Sequence, residues 1–182
     1  MTIDGDGFRA ALGCFATGIT VVTARSRGRP VGLTVNSFNS VSLDPPLVLF
    51  SLGRHTHVYW DLLEAPHFAV NVLAQDQRPL SERFAAPPAS GRFKGVAWRD
   101  GPFGSPLIGG TAARLECTVA HKYQGGDHVI LVGRVLHLEA EPHRRPLLYH
   151  QSAYAALAPE PLAPEPPVPE PLVAGLGRRA VS

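Results

Sequence analysis

Most segments with strand character in this 182-residue chain come in neighbouring pairs, separated by short turn sequences. Runs rich in β-branched residues predict strands, and such runs lie at residues 19–24, 30–35, 40–43, 47–52, 68–73, 112–121 and 128–139. A regular alternation of strands and helices is missing. The pairing therefore favours an antiparallel, closed β-barrel with peripheral helices over a doubly wound parallel sheet.

Apolar residues recur at helical spacing in four further segments. They predict helices at Phe8–Phe15, at 56–64 with Thr56 as the N-cap, from Asp76 through Phe84, and a helix or helix-like segment at 146–157. Residues 86–106 are dense in proline, glycine and serine, which predicts a long surface loop. Loops of that length in compact domains are commonly functional.

The charge balance argues against a nucleic-acid partner. The chain has 17 basic and 15 acidic residues, a formal net charge of +2, and no block of like charge longer than two residues, whereas nucleic-acid binders carry a clustered basic surface. The uncharged run Ala10–Ala24 is shorter than the ~20 apolar residues of a spanning helix, so we expect no membrane insertion.

The N-terminal residues and the cysteines indicate the compartment. Residues 1–6 contain neither the basic nor the apolar region of an export signal. Cys14 and Cys117 form no CxxC motif and no disulfide framework, so we expect two buried thiols in a reducing compartment. We therefore expect a cytoplasmic protein.

The composition divides the chain into two parts, a globular domain at 1–157 and a tail at 158–182. Seven prolines lie between Pro159 and Pro171, interleaved with glutamates. This composition is typical of polyproline II and not of a packed core. We expect a solvated linker, with an extended strap across a partner subunit as the alternative.

Generic catalytic motifs do not assign a function. Gly5–Ala10 fits the loose pattern GxGxxA, but no strand precedes it, so it is not a dinucleotide fingerprint. Walker A, GxSxG, HExxH and CxxC motifs are absent. His55 and His57 lack supporting carboxylate or thiolate ligands at suitable spacing, so we predict no metal site.

One stretch is informative: Gly32–Leu47 reads GLTVNSFNSVSLDPPL. It resembles the flavin reductase-like split-barrel family, the NAD(P)H:flavin oxidoreductases that commonly serve as reductase components of two-component flavin monooxygenases. Matching segments follow the family's order over about residues 8–157. They include Phe8–Thr23, Phe68–Ala74, Leu80–Ala85, Arg92–Trp98, Gly125–Gly133 and Pro146–Tyr154.

The resemblance implies both a fold and an activity. The fold would be mainly β with peripheral helices, a Greek-key split β-barrel of the FMN-binding type, assembled as a homodimer. The activity would be reduction of FMN or FAD by NADH or NADPH, with release of reduced flavin to a separate oxygenase. Two alternatives stay open: a reductase that retains its flavin and reduces another acceptor, and a flavin- or haem-binding protein without turnover.

The resemblance also implies a flavin site. It assigns the ring and ribityl chain to Thr34, Val35, Asn36 and Ser37, although the residues alone fit a polar strand end with turn hydrogen bonds. The phosphate would bind where a strand leads into a helix start, at Ser51, Leu52, Arg54, Thr56 and His57. His55 and His57 depart from the small polar pair that the family often has there.

Further assignments complete the predicted site. Arg83 and Phe84 would lie along the far side of the flavin, or Phe84 would belong to the core. His128 is the catalytic candidate on the nicotinamide side, with Gly126 and Asp127 beside it, although a plain hairpin turn would give the same pattern. Tyr149 and Tyr154 are candidates for the same pocket. The sequence does not distinguish FMN from FAD, or NADH from NADPH.

Overall fold

The computed structural model describes residues 3–158, and these residues form a mainly β structure. The segment predicted as a tail at 158–182 lies outside the described residues, apart from Ala158. The strands are β1 (Thr17–Gly18), β2 (Thr20–Ser26), β3 (Arg29–Val35), β4 (Asn39–Leu43), β5 (Pro46–Gly53), β6 (His67–Val72), β7 (Trp98–Asp100), β8 (Pro106–Ile108), β9 (Ala113–Gly125), β10 (His128–Ala140), β11 (Leu148–His150) and β12 (Ala153–Ala155). The helices are α1 (Gly5–Gly13), α2 (Tyr59–Glu64) and α3 (Arg78–Ala85), with a 3-10 turn at Gln75–Gln77 before α3.

Seven strands form one antiparallel sheet in the order β3-β2-β6-β9-β10-β5-β4. Its two edges, β3 and β4, are joined in the chain by residues 36–38 alone. A flat sheet would separate those edges by roughly 29 Å, at about 4.8 Å per strand, whereas four backbone steps reach about 14 Å at most. The sheet therefore curls until its edges approach without a ladder between them, and the predicted split barrel is confirmed.

The barrel encloses the main apolar core. In β5 every second residue is buried, so Val48, Phe50 and Leu52 point inward as the two-residue period of a strand requires. Phe50 meets Phe68 edge to face, with ring centroids 5.3 Å apart. A second cluster, which includes Phe84 of α3, packs beside the barrel.

The C-terminal part of the described chain corrects one prediction. The predicted helix at 146–157 is wrong, because β11 and β12 form a hairpin there. Gln151 and Ser152 have φ values of 48° and 60°, the left-handed conformation of a tight two-residue turn. Tyr149 also pairs with Thr17 of β1. This segment therefore forms strands by pairing with β1, which is distant in sequence, although its apolar residues have helical spacing.

Three smaller predictions are also corrected. Val58, not Thr56, precedes α2, and it makes no side-chain cap. The predicted loop at 86–106 contains the short strand β7, which pairs with β8. Cys14 is exposed, whereas Cys117 is buried as expected. The first two errors concern short segments whose state depends on which residues they meet in the folded chain.

The helices lie at the periphery, and α1 buries none of its side chains. Its apolar residues Phe8 and Leu12, and Phe15 just beyond it, are all more than half exposed. Among residues 3–158, no helix combines the length and apolar character needed to cross a bilayer.

We expect Gly133→Ala to lower the free energy of unfolding by about 1–3 kcal/mol, the usual cost of overpacking. A Cβ at Gly133 would overlap the ring of Phe68 and lie 2.9 Å from Cys117 Cβ. Urea denaturation measures the change. Gly18→Ala is the control, because a Cβ there meets nothing within 4 Å. Equal stability of the two variants would contradict this account of the core.

Candidate active site

The residues predicted to bind flavin and nicotinamide fall into two groups. The first surrounds the end of β3, and the second surrounds the turn between β9 and β10. Ser37 connects them, because its hydroxyl accepts from the Ser51 N–H at 3.0 Å and donates to the Ser51 carbonyl at 3.3 Å. These bonds continue the β4–β5 register two residues past Asn39, which pairs with Leu49. A side chain thus links the end of β3 to β5.

In the first group, Thr34 and Tyr154 converge on Ser81 of α3. The Thr34 hydroxyl donates to the Ser81 carbonyl at 2.7 Å, and the Tyr154 and Ser81 hydroxyls are 3.0 Å apart. The Arg78 guanidinium lies 4.9 Å from the Tyr154 ring centroid. The β11–β12 hairpin is therefore fixed against the helix that also holds the end of β3.

Asn36 is the most open member of this group. Its side chain is exposed and has no hydrogen-bond partner within residues 3–158. Together with Tyr149, Leu12 and Phe15 it lines a surface cavity of about 280 Å³. The predicted residues Asn36 and Tyr149 are thus brought together, with α1 forming one wall beside them.

In the second group, Arg54 ties the loop after β5 to the β9–β10 turn. Its backbone N–H donates to Asp127 O at 3.0 Å, and its Nε donates to Gly126 O at 3.1 Å. One terminal nitrogen donates to the Tyr59 hydroxyl at 3.2 Å, and the other donates to Gln124 Oε1. The side chain expected to present a charged fork to a phosphate therefore holds the turn in place.

Thr56 and His57 follow Arg54 in this loop. The Thr56 hydroxyl donates to Gly53 O at 2.9 Å, so it closes a turn instead of capping α2. His57 is exposed and lines a different cavity, formed with Arg29 and Lys94 among others. The N–H groups of His55 and His57 donate to no acceptor within residues 3–158, so they are available to an anion.

Asp127 and His128 form a pair at the start of β10. The His128 Nδ1 and an Asp127 carboxylate oxygen are 2.8 Å apart, and this hydrogen bond, followed by the charge of His128, lowers the pKa of Asp127. The bond directs the other ring nitrogen of His128, Nε2, toward the Gly53 side, where a Cβ on Gly53 would meet it at 3.4 Å. Asp127 thus orients an imidazole that is partly open to solvent.

Three predicted contacts are buried in the core. Val35 and Leu52 belong to the barrel interior. Phe84 packs edge to face on Phe93 at 5.0 Å and closes over Gly32, where a Cβ would lie 2.8 Å from its ring. The prediction that Phe84 lies along the flavin is therefore corrected in favour of its core alternative, since its ring has no exposed surface.

Arg83 stands apart from both groups. Its Nη1 donates to the Lys94 carbonyl at 3.0 Å, and it lines a shallow cavity with Leu80 and Val96. No cluster of three potential metal ligands occurs within residues 3–158.

The sequence model described as "Flavin reductase like domain" matches residues 12–158. The chain belongs to this family. The matched range includes Ser37, Arg54, Asp127 and His128, the residues that join and orient the two groups.

Two relatives match most of the flavin reductase like domain of this chain. The FMN reductase (NADH) SmoA of Agrobacterium fabrum is 49% identical over 139 residues, 74% of this chain and 78% of that protein. The reductase subunit HsaB of a flavin-dependent monooxygenase from Mycobacterium tuberculosis is 42% identical over 161 residues, 87% of this chain and 85% of that protein. By contrast, the chain spans only 44% of the length of a probable flavin reductase from Rhizobium meliloti, to which it is 46% identical over 137 residues.

A solved structure supports the same relationship. The NADH:FAD oxidoreductase SgcE6 of Streptomyces globisporus C-1027, in complex with NAD and FAD fragments, matches with a TM-score of 0.82 and 38% identity. The match covers 88% of this chain and 98% of that chain. The family's fold therefore accounts for nearly all described residues.

Four residues that shape the site were not assigned to it from the sequence. Gly53 lies against the His128 ring. The Arg54 guanidinium donates to Tyr59 and Gln124. Ser81 makes hydrogen bonds with Thr34 and Tyr154. Ser81 lies in a segment that matches the family, which was the one available signal. The others act through contacts between residues up to 75 positions apart, which local patterns do not encode.

The arrangement suits binding and orientation more than covalent chemistry. It offers a free amide at Asn36, unpaired N–H groups at His55 and His57, and an oriented imidazole at His128. None of the predicted site residues is a serine or cysteine hydrogen-bonded to a histidine, so the nucleophile-and-base pair of covalent catalysis is missing from them.

Proposed function

We propose that this chain is an NAD(P)H-dependent flavin reductase, which reduces free FMN or FAD and releases it to a separate oxygenase. The observation that carries the proposal is the Arg54-bound turn, which holds the Asp127–His128 pair against the loop after β5 in a chain of this family. In this proposal the flavin and the nicotinamide nucleotide are both substrates.

The flavin side of the proposal rests on polar groups that lack protein partners. A flavin presents a ring edge of alternating donors and acceptors, ribityl hydroxyls and a phosphate. The Asn36 amide and the His55 and His57 N–H groups match those needs. The proposed flavin contacts are the side chains or backbone of Thr34, Val35, Asn36, Ser37, Ser51, Leu52, Arg54, Thr56 and His57.

The nicotinamide side of the proposal rests on the β9–β10 turn. Gly126 has a φ of +67°, so the turn is tight and carries no side chain at that position. His128 contacts the nicotinamide nucleotide through its ring, which Asp127 holds in one orientation. Tyr149, beside Asn36, and Tyr154, beside Ser81, are the proposed more distant contacts of the nicotinamide nucleotide.

The proposed reaction needs positioning of two planar rings. A hydride passes from the nicotinamide C4 to the flavin N5, and a proton from solvent completes the reduced flavin, so NAD(P)H and flavin become NAD(P)+ and dihydroflavin. The protein holds the two rings at reacting distance and excludes other geometries. This reaction requires no protein nucleophile, which agrees with the residues present.

The oxygenase partner follows from the fate of the product. Free reduced flavin reacts with oxygen in solution. An enzyme that uses reduced flavin must therefore bind it before this oxidation occurs. The relative HsaB is the reductase subunit of a flavin-dependent monooxygenase. A separate oxygenase that receives reduced flavin is therefore the proposed partner of this chain.

Two further parts of the proposal concern organisation and compartment. The reductase domain comprises residues 1–157, and residues 158–182 are an appendage. The cytoplasm is the proposed compartment, because Cys14 is a free and exposed thiol, a state that a reducing compartment preserves.

The direct test measures NADH and NADPH oxidation at 340 nm under air, with no flavin, with FMN and with FAD. We expect oxidation that depends on added flavin and exceeds the protein-free control. A purified protein that is yellow and reduces another acceptor would favour a flavin-retaining reductase instead. If neither NADH nor NADPH is oxidised above the protein-free control in any combination, the proposed activity is wrong.

We expect His128→Ala and Asn36→Ala to separate the two substrates. His128→Ala should raise the KM for NAD(P)H by roughly tenfold, the effect of losing one oriented polar contact of about 1.4 kcal/mol. Asn36→Ala should weaken flavin binding by a similar factor. Steady-state kinetics and calorimetric titration measure the two effects. His143→Ala is the control for histidine loss, because His143 is exposed and its contact is with Glu141, which belongs to neither group of predicted site residues. An unchanged KM for NAD(P)H in His128→Ala would remove His128 from the site.

The proposed assembly is a homodimer that covers α1. Phe8 and Leu12 lie about 40° apart on one face of α1, Phe15 follows just beyond its end, and the exposed fractions of the three are 54%, 57% and 73%. A second copy that covered this face would also border the cavity at Asn36, because Leu12 and Phe15 line it.

Light scattering with size-exclusion chromatography tests the assembly. We expect a dimer for the wild type and a monomer for Phe8→Ser/Phe15→Ser, because burial of such side chains stabilises association by about 1.5–3 kcal/mol each. Ala10→Ser, on the opposite face of α1, should remain dimeric. A wild-type monomer at every concentration would exclude this assembly.

A further inference from the structure

A cavity of about 390 Å³ lies between the start of β3, the beginning of α2 and the loop at 89–94. Of the predicted site residues, His57 alone lines it. Small-molecule sites range from about 300 to 1,000 Å³, so this cavity has room for part of a dinucleotide and not for the whole. His57 belongs to the loop proposed to receive the flavin phosphate, so the cavity continues from that site.

The cavity is lined by more positive than negative charge. Arg29, Arg92 and Lys94 line it, against the single carboxylate of Asp61. Asp61 accepts a hydrogen bond from the Ser26 hydroxyl at 2.5 Å, so it is already engaged. None of the three cations forms a salt bridge within residues 3–158. An anionic ligand would find two or three cationic side chains against one carboxylate, so the charge of the lining favours its binding.

Arg92 is the strongest sign that the cavity is a ligand site. It is only 4% exposed, and its Nη1 and Nη2 donate to the carbonyls of Gly32 and Ala86 at 2.7 and 2.9 Å. Its Nε has no partner. Burial lowers the pKa of this guanidinium, as expected for a charge that is held among dipoles and lacks a counter-ion. A bound anion would provide the missing opposite charge.

The remaining wall is apolar. Val31, Val58 and Phe93 face the cavity, and Phe93 is fixed by edge contacts with Phe84 and Trp98, at centroid distances of 5.0 and 5.6 Å. A rigid apolar wall next to unpaired cations suits a ligand that is partly a flat ring and partly a phosphate.

We propose that this cavity binds an adenylate group, that is, an adenosine attached to a phosphate, and that FAD carries this group into it. The inference rests on the proposed function, since it extends the flavin site past the loop at 53–57. FMN ends at its phosphate beside that loop, whereas FAD continues through a second phosphate into adenosine. FAD is therefore the preferred flavin. NADH also carries an adenylate group, and the experiment distinguishes the two carriers.

The test is calorimetric titration of the full chain with FAD, FMN and AMP, compared with Arg29→Gln/Lys94→Gln. Neither side chain makes a hydrogen bond within residues 3–158, so the double variant is expected to fold. We expect FAD affinity to fall on the order of tenfold, FMN affinity to stay within about twofold of wild type, and AMP binding to be lost. Arg134→Gln/Arg145→Gln removes the same charge from exposed positions outside this cavity and should bind FAD normally.

A second variant tests the cavity without changing charge. Ser90 is exposed and lines the cavity, so Ser90→Trp should fill the space that the adenylate group would occupy. We expect the same selective loss of FAD and AMP binding, with FMN binding retained. Agreement between a charge variant and a volume variant would support one ligand position.

Other outcomes overturn specific parts of the inference. If FAD and FMN affinities are unchanged but the KM for NADH rises in both variants, the nicotinamide nucleotide is the carrier and FAD is not. If no ligand responds to either variant, the cavity is not an adenylate site. If wild-type protein binds neither flavin, the proposed function fails, and the AMP titration still decides whether the cavity binds adenylate.

Discussion

The pairing of β9 with β10 is the constraint on which the candidate site depends. The ladder runs from Ala113 opposite Ala140 to Gly125 opposite His128, and β10 then pairs with β5 so that His128 lies opposite Gly53. Antiparallel register allows one alignment in which the inward side chains of all three strands meet the core. The same alignment brings the β9–β10 turn to the loop after β5. The geometry of the candidate site is thus an extension of the register of the barrel.

The open side of the barrel explains why Asn36 and Ser37, two of the predicted flavin residues, are polar. Residues 36–38 connect two sheet edges that have no ladder between them. Backbone groups at such edges need other partners, and Ser37 supplies them for Ser51. The side chain of Asn36, one residue earlier, makes no hydrogen bond to β5 and is exposed. The polar residues at this point therefore contribute to the closure of the fold through Ser37 and leave the Asn36 amide open for the proposed flavin.

Sequence patterns predicted the parts of this structure that depend on local residues. The β-branched runs located the strands of the main sheet, and the resemblance of Gly32–Leu47 identified the family. The hairpin at 148–155 was missed because its strand state depends on pairing with Thr17. Thr56 has the sequence context of an N-cap, but the helix begins only after Val58, and the Thr56 hydroxyl donates to Gly53 O instead of accepting from a helix N–H. The burial of Phe84 depends on the absence of a side chain at Gly32, which no spacing within the helix reveals.

Arg54 shows how the two halves of the site depend on each other. Its Nε and both terminal nitrogens donate to Gly126, Tyr59 and Gln124. A phosphate that took one of these donors would remove a hydrogen bond from the turn that carries His128. Binding at one place would then change affinity at the other, and thermodynamic linkage requires the change to be reciprocal. In the proposed site, a single guanidinium therefore couples the affinity for flavin to the affinity for the nicotinamide nucleotide.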